Sequence, residues 1–79
     1  MKVSVLFFGA TAEEVGEREI DLDVPENARA REVFAEIVEK YPRLAGHKLL
    51  YAVNQEYASG GETIREGDEL AVFTAVSGG

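Results

Sequence analysis

Along most of this chain apolar residues recur at every second position, but between Ala28 and Tyr41 they recur every third or fourth. That one change of period restricts the chain to a single amphipathic helix set against strands. In the helical stretch Ala30, Val33, Phe34, Ile37, Val38 and Tyr41 make one stripe, while Arg31, Glu32, Glu36, Glu39 and Lys40 fall off it. Pro25 breaks the strand before it, Asn27 is the expected N-cap, and Pro42 helps to end it.

Around the helix the period is two. From Lys2 to Phe8, Val3, Val5 and Phe7 share one face and Ser4, Leu6 and Phe8 the other, so both faces carry large apolar groups. Gly9 to Gly16 reads most simply as a loop with room for one helical turn. Glu17 to Val24 is a second strand, Ile20, Leu22 and Val24 inward, pairing with the first as a hairpin. Lys48 to Asn54 is a third strand, Asn54-Gln55 begins a turn before a short pairing near Tyr57, and Ser59-Gly60-Gly61 is a further turn. Thr63 to Asp68 is expected to form a short helical turn closed by Gly67. The last strand runs from Glu69 to Val76, with Leu70, Val72, Thr74 and Val76 opposite Ala71, Phe73 and Ala75. The expected fold class is α+β, a sheet with one main helix packed on one face. Residues 1–76 form the domain and 77–79 a tail.

Composition narrows the function. At 79 residues there is room for one domain, and 46% hydrophobic residues are enough for a packed core. Cys is absent, which removes disulfides, thiolate nucleophiles and Cys-based metal sites. The net charge of −7 argues against nucleic acid and suits a basic protein partner. The opening MKVSVLFFGATAEE alternates and soon turns acidic, as a strand does and a signal peptide does not, and no run approaches the roughly 20 apolar residues of a membrane span. The expected compartment is the cytoplasm, with no membrane contact.

The chemistry points to the tail. After Val76 the sequence reads Ser77-Gly78-Gly79. Glycine has no Cβ, so a Gly-Gly tail can thread a narrow tunnel and leaves the carboxyl uncrowded. A carboxylate is a poor electrophile at neutral pH and must be activated, for instance as a mixed anhydride with AMP, before a sulfur nucleophile can replace an oxygen. Such a tail is the substrate of a partner. If Val3, Val5, Leu70 and Val72 face the helix, Phe8 and Phe73 lie on the open side of the sheet, where clustered aromatics mark an interface.

The element order, the opening VSVLFFGATAEEVG, the segment KLLYAVNQEY, the strand GDELAVF and the terminal VSGG together resemble the small subunits of molybdopterin synthase, β-grasp proteins of the ubiquitin-like sulfur-carrier group. The resemblance covers almost the whole chain. It implies a cycle in which an ATP-dependent, ubiquitin-activating-type adenylyltransferase adenylates Gly79 and a sulfur donor converts it to a thiocarboxylate. The tail then enters the active site of the large synthase subunit, where sulfur passes to cyclic pyranopterin monophosphate. Gly79 would carry the sulfur, and Gly78 and Ser77 would give reach. The resemblance also adds Tyr57 to Phe8 and Phe73 as a partner contact, and implies a heterotetramer with one small subunit at each end of a dimer of large subunits. Family members often have two prolines after the final aromatic, where this chain has Thr74-Ala75. No cofactor is expected on the chain itself, ATP being used by the activating enzyme, and no turnover is expected from the chain alone.

Other features are read as structural. Gly60-Gly61 lacks the context of a phosphate cradle. His47, the one histidine, has no acidic neighbour in sequence at ligand spacing and reads as a loop residue, and Glu13-Glu14 as solvated. Three alternatives stay open: a protein modifier conjugated through Gly79, a sulfur carrier for thiazole or tRNA thiolation, and an interaction domain with an inert tail.

Overall fold

The computed structural model describes residues 1–75, and the expectations placed on Val76, Ser77, Gly78 and Gly79 lie outside them. The elements are β1 (Lys2–Phe7), α1 (Ala10–Val15), β2 (Glu19–Asp23), α2 (Ala30–Lys40), a 3₁₀ helix (Pro42–Gly46), β3 (Leu49–Val53), β4 (Glu56–Tyr57) and β5 (Glu69–Thr74). These strands form one sheet in the order β2-β1-β5-β3-β4. β1 and β5 run parallel at its centre, and the other pairings are antiparallel.

The alternation in β1 buries Val3, Val5 and Phe7, and Leu22, Val24, Leu70 and Val72 join them from the neighbouring strands. The stripe of α2 closes this core through Ala30, Val33 and Ile37. Phe34 stacks on Tyr51 of β3 with ring centroids 4.3 Å apart, and Tyr41 meets Phe7 of β1 edge-on at 5.7 Å. The helix therefore reaches from β3 to β1 across a single face. Among the described residues no helix is long and apolar enough to cross a membrane.

The start of α2 differs from expectation. Asn27 has φ 66 and is not the cap, and Arg29 holds the N-cap position in extended backbone. The free N–H groups of the first turn are met by a segment some 30 residues further on: Ala30 N–H donates to the Glu62 carbonyl at 2.8 Å and Arg31 N–H to the Gly60 carbonyl at 3.0 Å. Arg29 N–H donates to Glu32 Oε1 at 2.8 Å, and its guanidinium Nη1 to the Gly61 carbonyl at 2.8 Å. A helix start satisfied by a distant loop needs no Ser, Asp or Asn of its own.

That loop is folded around one carboxylate. Glu62 accepts the Ser59 N–H at 2.7 Å, the Gly60 N–H at 2.8 Å and the Ser59 hydroxyl at 3.1 Å. The Ser59 N–H, then Glu62's own N–H and that of Gly60, hold its carboxyl down at about 2. Gly60 has φ +111, and a Cβ there would lie 3.2 Å from Tyr51 Oη and 3.3 Å from Arg31 Cβ. Burial, followed by the Glu62 charge, raises the Tyr51 phenol above its usual range against the opposing pull of Arg31.

Further differences share one cause: short elements leave no period to read. Gly9 to Gly16 contains a helix, α1, closed by Gly16 in the left-handed region with φ 82. The 3₁₀ helix after Pro42 buries Leu44 completely. Thr63 to Asp68 is not helical. Thr63 bridges to Arg29, and the Asp68 carboxylate accepts the Arg65 N–H at 2.8 Å, while Gly67 donates to the Lys2 carbonyl at 2.9 Å. β2 begins two residues later than expected and ends at Asp23, and β3 is shorter by one residue at each end.

Candidate functional site

Since α2 covers one face of the sheet, alternation turns the other side chains to a face without a helix. Register shows which residues meet there. Leu6 of β1 is opposite Ala71 of β5, Phe73 of β5 is opposite Leu50 of β3, and Ala52 of β3 is flanked by Ala71 and by Tyr57 of β4. Phe8 follows β1 directly, one position past the Phe7–Val72 pair, which sets it on the same side as Phe73. Three of these side chains are open to solvent, Tyr57 at 76%, Phe8 at 51% and Leu50 at 39%. Phe73 is half-buried, its ring 5.8 Å from that of Tyr57 at an interplanar angle of 62°.

The sequence-predicted set is thus brought together as far as it is described. Phe8, Tyr57 and Phe73 lie on one helix-free face, and Ser77, Gly78 and Gly79 are outside the described residues. Leu50 was not singled out, because Leu49 and Leu50 are both apolar and adjacent, so that only the pairing of Leu50 with Phe73 shows which points outward. The same alternation carries Asp21 and Asp23 of β2 and Glu69 of β5 to this face, at the end away from Phe8, while Glu19 lies opposite Leu6 near the Phe8 end. The face is apolar where β5 finishes and acidic where β5 begins.

The end of β5 is held from both sides. On one, Ala75 N–H donates to the Lys48 carbonyl at 3.0 Å, carrying the β3 pairing one residue past the strand. On the other, β1 has ended and α1 packs in its place. The turn into α1 runs Phe8-Gly9-Ala10-Thr11, with Gly9 at φ 57 and ψ −127 and Thr11 N–H donating to the Phe8 carbonyl at 3.2 Å. A positive φ of this kind at the first turn position suits glycine. Thr11, completely buried, accepts the Phe8 N–H at 3.0 Å through Oγ1, and its hydroxyl lies 2.7 Å from the Phe8 carbonyl and 2.8 Å from the Val72 carbonyl. Inside what reads as a loop, nothing in the sequence marks Thr11 as buried.

His47 also has a partner that sequence distance hid. Its Nε2 is 3.3 Å from Glu14 Oε1, both side chains being half-buried, so the one histidine and a carboxylate read as solvated join the end of the 3₁₀ helix to α1. Among the described residues no group of His, Asp and Glu is placed to hold a metal ion. The arrangement can grip a partner and present the chain that follows Ala75.

Comparison with known proteins agrees with this geometry. The human molybdopterin synthase sulfur carrier subunit is 36% identical over 99% of this chain and 94% of its own length. SAMP1 of Haloferax volcanii, a small archaeal modifier protein, is 30% identical and superposes over the whole of both chains with a TM-score of 0.85. Subunits 1 and 2 of the molybdopterin-converting factor of Helicobacter pylori, solved as a complex, include a chain of the same fold, 22% identical over all of both chains with a TM-score of 0.72. The ThiS family model matches residues 5–79, and with that match and these relatives the chain belongs to the ThiS family of β-grasp, ubiquitin-like proteins.

Proposed function

We propose that this chain is the sulfur carrier subunit of a molybdopterin synthase, working through the carboxylate of Gly79. The observation that carries the reading is the uncovered face of Phe8, Leu50, Tyr57 and Phe73 beside the finishing end of β5, which sets a partner's grip next to the base of the tail. The kinship with the human subunit supports the recipient.

In this reading a carboxylate oxygen of Gly79 attacks the α-phosphorus of ATP in an adenylating enzyme and pyrophosphate leaves. Hydrosulfide then attacks the acyl adenylate, AMP leaves with the oxygen and a proton is lost, so that a thiocarboxylate remains; a persulfide donor would give an acyl disulfide, whose S–S bond a thiol must then reduce. The slender Ser77-Gly78-Gly79 tail carries it into a large subunit, where sulfur passes to cyclic pyranopterin monophosphate. The Helicobacter pylori complex supports a two-subunit assembly, and the heterotetramer is part of this proposal. ATP acts in the adenylating enzyme, and the chain supplies the acceptor and the face.

The deciding experiment is the intact mass of the chain after incubation with ATP, a sulfur donor and its host's adenylating enzyme, beside a chain lacking Gly79. A gain equal to sulfur in place of one oxygen, absent from the shortened chain, is the expected result. No gain with an enzyme shown to be active on another carrier would sink the reading. The likeness to SAMP1 favours a second use of the same activated carboxylate, transfer to a target lysine. Conjugates that disappear when Gly79 is removed would establish it.

A further inference from the structure

The hydrogen bonds of Thr11 exceed what its own turn requires. Those to the Phe8 N–H and carbonyl are local, three residues apart, whereas the Val72 carbonyl is 61 residues away. A hydroxyl has one proton, so the two carbonyls at 2.7 and 2.8 Å share it, and both are drawn to the same point. That point is where the β1–β5 ladder stops. The Phe8 N–H still reaches Val72 at 3.2 Å, and past it β5 is paired only on its β3 side, as far as Ala75.

We propose that the Thr11 hydroxyl is a positioning group for the C-terminal carboxylate: beside the Phe8 N–H it is the second and shorter link from the Val72 carbonyl to the Phe8 turn, and so tightens the place of the base of the tail relative to the face a partner grips. The inference rests on the sulfur-carrier reading, since only a carboxylate delivered into a partner's site needs its base held. Four residues follow Ala75, so a carboxylate on Gly79 stays within roughly 14 Å of it, and the place of that base bounds where the carboxylate can go. A reacting atom displaced by about 1 Å can cost a large factor in rate, which makes even a small shift of Val72 visible in turnover.

Thr11→Val tests this cleanly because it keeps the shape and orphans no backbone group: the Phe8 carbonyl keeps the Thr11 N–H, and the Phe8 N–H and Val72 carbonyl keep each other. The measurement is ATP–pyrophosphate exchange by the adenylating enzyme with the full chain as substrate, alongside Thr11→Ser and Ile37→Val, a substitution at another fully buried site, on α2. We expect Thr11→Val to lower kcat roughly five- to tenfold with KM changed less than about threefold, and Thr11→Ser and Ile37→Val to keep kcat near that of the wild type. Wild-type kcat in Thr11→Val, or an equal loss in Ile37→Val, overturns the positioning role and leaves the carrier reading standing. A wild-type chain that is not adenylated overturns both. If Thr11→Val does not fold, as judged by amide dispersion, Thr11→Ser decides: a folded serine variant with a five- to tenfold lower kcat would show that the hydroxyl is not what positions the tail.

Discussion

Glu62 shows how much one carboxylate side chain can organise. Its carboxylate gathers the Ser59 and Gly60 N–H groups, and the carbonyls of Gly60 and Glu62 are thereby turned to the first N–H groups of α2. Its folded pKa, about 2, lies below the ordinary 4.5, so its contribution is fully present above pH 4.5 and is lost as pH falls through about 2. The denaturant midpoint of the wild type should fall between those pH values more steeply than that of Glu62→Gln, and the variant should already be less stable at neutral pH. Gly60 answers for the same loop in steric terms. With φ +111 and two atoms within 3.3 Å of any Cβ, Gly60→Ala should cost about 1–3 kcal/mol by urea unfolding. Gly61, with nothing within 4 Å of a Cβ, should tolerate alanine far better.

At the scale of elements, what could be read in sequence was what repeats within one element. The alternation of β1 placed Val3, Val5 and Phe7 inward, and the stripe of α2 identified Val33 and Ile37 as core. What could not be read depends on partners far along the chain. The cap of α2 comes from Gly60 to Glu62, Glu14 meets His47 across 33 positions, and the outward turn of Leu50 follows only from its pairing with Phe73. Short helices such as α1 are shaped by their glycine ends and by the strand they cover, which no periodicity records. The open face was legible for Phe8 and Phe73 because the strand period alone gives them, whereas Tyr57 needed the resemblance. Phe73 is the test of that face. A central aromatic anchor typically carries 2 kcal/mol or more, so Phe73→Asp should weaken binding to the large subunit by roughly thirtyfold or more in calorimetry, while the amide spectrum keeps its dispersion.

For the molecule as a whole, the net charge of −7 is not evenly set around the helix-free face. Asp21, Asp23 and Glu69 border it at one end, and Lys48 lies beside Ala75 at the other. A partner that fits must be basic opposite the start of β5 and apolar opposite its finish. Its association rate should therefore fall as salt rises from 0.01 to 1 M, over which screening shortens from about 30 to about 3 Å, while the dissociation rate changes much less. Equal salt effects on both rates in stopped-flow measurements would argue that the acid serves only solubility.

The parallel pairing of β1 with β5 has a consequence for biosynthesis. The strand inserted at the centre of the sheet, between β1 and β3, is the last of the five described strands to be synthesised. A nascent chain interrupted before Glu69 lacks the middle of its core, with Leu70 and Val72 missing, and lacks Phe73 from its outer surface. If the chain is the carrier proposed above, incomplete chains would not compete for the partners that grip this face, and the fold itself would select which molecules are offered for charging.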